Sequence, residues 1–211
     1  METIERYYKR HSGRVFLLGN GPSLTDNDLS KIPSTQAITM NRSWAVLPRP
    51  LYHCTSGDLR IAYDPLPKHI LFLGQPEQYK NLKMACPVIC VQTKILGVKV
   101  REPNKQLPIP KHLDLRYGWP PTHCGLFAVY AAWFLGFNPI YLLGYDGYGT
   151  HYVDDVKHDW RNYEAKHEKA IIDFRQYIDK LLEFDQNVNI YNCNPSNAYG
   201  NLGVAIFGDL W

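Results

Sequence analysis

No charged side chain interrupts Cys124–Leu135, and this run constrains the fold more than any other feature of the chain. A helix that is apolar on every side must be buried on every side. Thr122 and His123 ahead of it read as a cap, and Gly136 behind it as a stop. Pro139–Leu143 then follows as a short apolar strand. A buried helix that feeds straight into a buried strand is the repeating half of a wound α/β sheet, whose mostly parallel strands are covered by helices on both faces.

The rest of the chain supplies the partners of that strand. Arg14–Leu18 is an apolar run that ends in Gly19, Asn20, Gly21, Pro22 and Ser23, the pattern of a buried strand and its exit turn. Gln36–Met40, Leu51–Cys54, His69–Leu73, Val88–Val91 and Val188–Tyr191 are further strand candidates, each followed by polar or turn residues. Asp26–Ser30 reads as the start of a short helix. A longer helix over Tyr163–Glu183 carries the apolar stripe Ile171, Phe174, Ile178, Leu181 and Leu182. Between Thr93 and Pro121 five prolines mark an irregular excursion. The expected fold is a single Rossmann-like α/β domain over residues 1–211, with a small lid over 144–165.

Composition bounds what such a domain does. A chain of 211 residues, 45% apolar and 20% charged, is long enough for one substantial core. Its net charge of +3 does not call for nucleic acid. Residues 94–116 are locally basic all the same, and form either a solvated loop or a patch facing a phosphorylated or polymeric acceptor. The 15 tyrosines and 5 tryptophans suit a polar ligand in a partly dry pocket, or simply a half-buried surface. The 5 cysteines include no CxxC pair, which points to free thiols in a reducing compartment rather than to a zinc site. With no apolar leader and no apolar run long enough to span a membrane, the expected location is the cytoplasm.

In a wound sheet, ligands bind at the carboxyl ends of the strands, near the point where strand order reverses. Four polar clusters fall at such ends: Gly19–Ser23, Asn41–Ser43, Gly144–Tyr152 and Asn192–Asn197. A fifth, Thr122–Gly125, lies at a helix start. The first cluster is suited to phosphate. Gly19 and Gly21 would let the backbone approach closely and adopt positive φ, Pro22 fixes a turn, and Ser23 can cap and donate. It is neither a GxGxxG fingerprint nor a Walker loop, which argues against a dehydrogenase or a P-loop kinase. A purely structural turn is the other reading of this loop.

The order of these motifs brings a resemblance with it. The strand ending in GNGPSL, the Met40-Asn41-Arg42 strand end, the unit GFNPIYLLGYDGY and the closing YNCNPSN resemble the bacterial lipo-oligosaccharide sialyltransferases. They also recur in a wider group that includes flagellin-modifying glycosyltransferases and archaeal 6-hydroxymethylpterin pyrophosphokinases. The match covers about residues 15–60 and 120–200, and residues 60–120 match poorly. The resemblance implies that Gly19, Asn20, Gly21 and Ser23 contact the phosphate and ribose of a donor, with Asn41 on its sugar or ribose. Cys124 and Gly125 would stand where the sialyltransferases place a Ser-Gly pair against the nucleotide, so the cysteine is a departure. Asn194, Pro195 and Ser196 would lie beside the base.

For catalysis, the resemblance implies two lid tyrosines that stabilise the leaving phosphate without a metal. Tyr148 stands at the matching offset, and Tyr152 matches if a short deletion is allowed; packing of the lid is the alternative for both. Phenol donors aimed at a departing phosphate would lower the barrier electrostatically. A hydroxyl acceptor also needs a base, and histidine suits neutral pH. His167, one turn before Ile171 on the inward stripe, ranks first, His151 second and His158 third. Were a divalent ion used, Asp146 with Asp154 would be the choice.

The expected activity is transfer of a sugar, sialic-acid-like or otherwise, from a nucleotide-sugar such as a CMP- or UDP-sugar to a hydroxyl of a glycan or other polymer, without cofactor or metal. A magnesium- and ATP-dependent diphosphotransferase on a pterin-like substrate, a glycosyltransferase acting on nucleic acid, and a non-catalytic nucleotide-binding module remain the alternatives. A homo-oligomer is left open.

Overall fold

The computed structural model describes residues 2–47, 49–55, 68–74, 88–92, 124–147, 160–194, 199 and 202–211. Among the described residues nine strands form one sheet in which every pairing is parallel. In chain order they are β1 (Glu2–Thr3), β2 (Val15–Leu18), β3 (Ala37–Met40), β4 (Tyr52–Thr55), β5 (His69–Gly74), β6 (Val88–Gln92), β7 (Ile140–Leu143), β8 (Ile190–Asn192) and β9 (Gly203–Val204). Two α-helices accompany them, α1 (Cys124–Leu135) and α2 (Trp160–Phe184).

Across the sheet the order is β1-β6-β5-β4-β3-β2-β7-β8-β9. From β2 the chain steps outward through β3, β4, β5 and β6. It then crosses by α1 to the other side of β2 and continues through β7, β8 and β9. Strand order therefore reverses at β2, between β3 and β7. A doubly wound sheet opens its ligand crevice at that place, outside the carboxyl ends of the strands.

Side chains alternate across the pleat as period two requires. Val15 and Leu17 of β2 join Ile38, Met40, Tyr52, Cys54, Ile140 and Leu142 on one face, where α1 and α2 pack. Phe16, Leu18, Ala37 and Leu143 face the other way, against Leu24, Ile32, Leu47 and Phe207. Short 3-10 helices cover this second face: Pro22–Asp26, Leu29–Lys31 and, at the carboxyl terminus, Phe207–Leu210. Arg14 holds the last of these in place. Its guanidinium lies 4.4 Å from the Trp211 ring centre, and its Nη1 donates to the Leu210 carbonyl at 2.7 Å.

Helix α1 has the predicted span and is buried on all sides except at Gly125. Beyond the sheet, Tyr130 donates through its hydroxyl to the Tyr177 carbonyl of α2, and Tyr8 packs on Phe134. Gly136, at φ +97, ends the helix. Its N–H reaches the Trp133 carbonyl at 2.9 Å, and that of Phe137 reaches Ala132 at 3.0 Å. These two bonds satisfy the last carbonyls in the manner of a glycine cap. Helix α2 buries the predicted stripe through Phe174, Ile178 and Leu181. It begins at Trp160, three residues before the predicted start.

The sequence reading differs from the structure in two places. Asp26–Ser30 is not a short α-helix; two 3-10 turns meet there, Pro22–Asp26 and Leu29–Lys31. The strands β1 and β9 have only two residues each, too few for a periodic signal. The irregular excursion over 93–121 and most of the expected lid, residues 148–159, lie outside the described residues.

Candidate functional site

The loop after β2 and the loop after β7 are welded together at the reversal point. Gly19 donates to the Leu143 carbonyl at 2.7 Å, and Gly21 donates to the Gly144 carbonyl at 2.8 Å. Neither Gly19 nor Gly21 has the positive φ expected of it; Gly21 is extended at φ −69. What both need is the absence of a side chain. A Cβ on Gly19 would stand 2.3 Å from the Gly144 carbonyl oxygen, and one on Gly21 would stand 2.3 Å from Asp146 Oδ2. The bend is made instead by Gly144 at φ +67 and Gly147 at φ +70.

Asp146 is the centre of this weld. Its carboxylate is 2% exposed. Oδ2 accepts from the Ser23 N–H at 2.8 Å, while Oδ1 accepts from the Ser23 hydroxyl and from the Asn194 amide. One side chain thus ties the exits of β2, β7 and β8. Among the described residues no group of three or more His, Cys, Asp or Glu side chains could hold a metal ion, and both oxygens of Asp146 are engaged with the protein. Asp154 lies outside the described residues.

The exit of β3 is locked to that of β2 by Ser43. Its hydroxyl lies 2.6 Å from the Leu18 carbonyl and 2.9 Å from that of Met40, and it accepts the Met40 N–H at 2.7 Å. The next residue along, Asn41, takes φ +48, a left-handed conformation that asparagine tolerates better than most side chains. Its Oδ1 accepts from Cys124 Sγ at 3.4 Å. Tyr145 completes the join beneath: its hydroxyl lies 3.3 Å from Met40 Sδ and donates to the Gly125 carbonyl at 3.1 Å. Burial drives the Tyr145 phenol well above its ordinary pKa, so it stays protonated as a donor. Burial likewise raises the Cys54 thiol, on the strand beside Met40.

Gly19, Asn20, Gly21, Ser23, Asn41, Cys124, Gly125 and Asn194 therefore meet at one edge of the sheet. Two of them, Asn41 and Asn20, differ from the rest in what their side chains leave unused. Asn41 is exposed, at the mouth of the crevice. Asn20 buries its Oδ1 without a hydrogen-bond partner among the described residues, and a buried amide oxygen in that condition costs about 1–3 kcal/mol. Ser23, by contrast, directs both its N–H and its hydroxyl at Asp146. Tyr148, His151, Tyr152, His158, Pro195 and Ser196 lie outside the described residues, and for His167 only the backbone, within α2, is described.

Ser43 and Tyr145 are positioning residues that the motif reading did not include among its site residues, and Asp146, named there only as a candidate metal ligand, is a third. Ser43 had a usable signal, since a serine three residues after a strand end can cap its own carbonyl turn. For Asp146 the partners come from positions 23 and 194, too distant in sequence for any local pattern.

Free cysteines at 54, 124 and 193 agree with the reading of unpaired thiols. Among the described residues no helix is long and apolar enough to cross a membrane.

No protein-family model matches the chain, and no curated protein matches it in sequence. Solved structures do match its fold. The sialyltransferase CstII from Campylobacter jejuni, in complex with the substrate analogue CMP-3FNeuAc, superposes with a TM-score of 0.54 at 14% identity, covering 91% of this chain and 86% of that one. The same enzyme with a trisaccharide acceptor and CMP gives 0.54 at 14% identity, over 92% and 86%. Monomeric CstII gives 0.51 at 15% identity, over 92% and 89%. At these identities the likeness is one of architecture: the chain has a sialyltransferase-like fold.

Proposed function

We propose that the chain is a glycosyltransferase that takes a sugar from a nucleotide-sugar and passes it to a hydroxyl on a glycan or other polymer. The observation that carries this reading is the convergence of Asn20, Asn41, Cys124 and Asn194 where strand order reverses, at the edge where a wound sheet holds nucleotides. The matched CstII structures, which hold CMP-3FNeuAc or CMP with a trisaccharide acceptor, support a cytidine monophosphate sugar as the donor.

In this reading the Asn20 side chain receives the ribose of the donor, one of whose hydroxyls donates to the buried amide oxygen. Asn41 and the first turn of α1, Cys124–Gly125, bind the nucleotide, and Asn194 and Ser196 flank the base. Tyr148 and Tyr152 donate to the phosphate as it departs, and His167 or, second, His151 removes the proton of the attacking hydroxyl. The reaction needs no metal, and Asp146 acts by holding the loops. Ser23 keeps only its lone pairs for a ligand and works mainly through Asp146.

A thermal-shift panel tests the reading, because a ligand that binds only the folded chain stabilises it by mass action. Cytidine or uridine nucleotides and their sugars should raise Tm equally with and without EDTA. Stabilisation by ATP with magnesium alone, and by no pyrimidine nucleotide, would replace the proposal with a diphosphotransferase.

A further inference from the structure

The opposite edge of the sheet holds a second cavity, of about 270 Å3. Lys9 and His11, which line it, precede β2; Phe137 and Asn138 precede β7; Asp185 and Asn187 precede β8. All of them enter strands, so the cavity lies at the amino edge, the whole length of the sheet away from the site described above.

Its walls are rigidly built. Lys9 donates its N–H to the Phe134 carbonyl at 2.9 Å and His11 to that of Leu135 at 2.8 Å, which fastens this segment over the end of α1. A Cβ on Gly136 would meet the His11 carbonyl oxygen at 2.5 Å, so the contact leaves no room. Lys9 itself sits at φ +50, a conformation unusual for a lysine. The His11 ring stacks on Phe137 at 4.6 Å, and its Nε2 is 2.7 Å from the Tyr52 hydroxyl. Nδ1 is then the ring nitrogen left for a ligand. On the far wall, Asp185 accepts from Trp133 Nε1 at 2.9 Å and from the Asn187 N–H at 3.1 Å.

Charge is divided across this space. Lys9 supplies the cation of the lining, its Nζ 5.5 Å from the Tyr8 ring centre, and burial, followed by Lys68, His69 and Arg10, lowers the pKa of His11. The carboxylate of Asp185 stands on the other side with lone pairs remaining. We propose that the cavity binds one small anionic sugar, its carboxylate or phosphate against Lys9 and His11 and its hydroxyls against Asn187 and Asp185. Sugar hydroxyls both donate and accept, which suits a wall that presents an amide and a carboxylate together. Trp133 and Phe137, also in the lining, add apolar surface for the C–H side of a sugar ring. The volume falls just below the roughly 300–1,000 Å3 of drug-sized pockets, the scale of a single sugar unit. Nucleic acid fits less well, because a strand needs an open basic groove to follow and would meet Asp185.

The site is independent of the donor reading, and its test does not require activity. The full chain is titrated with glucuronate, glucose 6-phosphate, glucose and inorganic phosphate, following heat and the NMR signals of the His11 ring. We expect at least one of the two anionic sugars to bind with Kd on the order of 1 mM. Glucose and phosphate should each bind about tenfold more weakly, the effect of one charge-assisted hydrogen bond. Glucuronate alone would identify a sugar acid, glucose 6-phosphate alone a sugar phosphate. Lys9→Asn, which suits the left-handed backbone, should remove the preference for the anion without lowering Tm. Asn187→Ala, at an exposed position, should weaken the sugar and spare the fold. Excess CMP should not compete. The proposal is overturned if neither anionic sugar moves the His11 signals, if glucose or phosphate binds as tightly, if both variants bind like the wild type, or if CMP displaces the sugar.

Discussion

Replacing Asp146 by asparagine tests whether the crevice is held from one point. The change preserves shape and removes one acceptor. An asparagine can keep its oxygen at the Oδ1 position, serving the Ser23 hydroxyl and the Asn194 amide, but its nitrogen then faces the Ser23 N–H. Two donors meet where a donor met a carboxylate. Loss of a hydrogen bond to a charged group costs about 1.5–3 kcal/mol, and the orphaned N–H adds about 1 kcal/mol or more, so about 3 kcal/mol of stability should be lost. Ser23→Ala removes only the hydroxyl contact to the carboxylate, worth about 1.5–3 kcal/mol. Because both changes act on one hydrogen-bonded unit, the double variant should lose less than the sum, by about 0.5–1.5 kcal/mol. Urea unfolding measures all three, with the midpoint moving and the slope constant if only stability has changed. An Asp146→Asn variant within about 0.5 kcal/mol of wild type, or a pair that adds within about 0.3 kcal/mol, would refute the single-clasp argument.

Glycine substitutions separate close packing from conformational freedom: Gly21→Ala, whose Cβ would meet Asp146 Oδ2 at 2.3 Å, should cost about 2 kcal/mol or more and abolish nucleotide stabilisation, whereas Gly208→Ala, with open space around it, should stay within about 0.5 kcal/mol. Melting curves of the two decide it. Tyr148→Phe should lower kcat by about 10²–10³ with unchanged nucleotide affinity if the phenol serves the leaving phosphate; unchanged kcat returns it to packing. His167→Gln should reduce turnover by about 10²–10⁴ and abolish the acidic limb of the pH–rate profile, and an effect confined to His151→Gln would move the base to that residue. His53, fully buried with its Nδ1 2.9 Å from Thr39 Oγ1, has its pKa lowered from 6.5 to about 3 by burial. The folded state therefore refuses a proton that the unfolded chain accepts below pH 6.5, so stability is full above that pH and is lost as pH falls towards 3, by about 2 kcal/mol between pH 6.5 and 5. His53→Gln should lose that much less over the same interval in urea titrations, and an unchanged pH dependence would exclude His53 as its source.

What could be read from the sequence was whatever sits in a single periodic run. Cys124–Leu135 announces burial by composition alone, and the helix has the span that the run predicts. The seven longer strands were legible because a strand buried on both faces is a continuous apolar stretch. Strands β1 and β9 were not, because two residues carry no period and are set by the register of β6 and β8 beside them. The same limit applies to the 3-10 turns after β2, where Pro22 and the Asp28 side chain, accepting from Ser30, favour local turns over a continuing helix.

The loop after β2 shows how one residue pattern can have a different cause from the one read into it. Two glycines beside a strand end suggest backbone freed for a phosphate, and a sequence offers no way to see another partner for the bare face. The structure supplies one: Gly144 and Asp146, more than a hundred residues further on, occupy the space that Cβ atoms would need. That arrangement changes what each residue does for a ligand. The glycines and Ser23 fix the relative position of the β2, β7 and β8 exits, and in the proposed function binding falls to the amides around them, Asn20 foremost, whose buried oxygen has no hydrogen-bond partner among the described residues. A substitution at Gly21 would thus act on Asp146 before it acted on any substrate, so its effect on stability and its effect on binding should rise and fall together, whereas Asn20→Ala should weaken nucleotide binding while leaving the fold as stable or more so, since it removes a buried acceptor that the folded chain leaves unpaired.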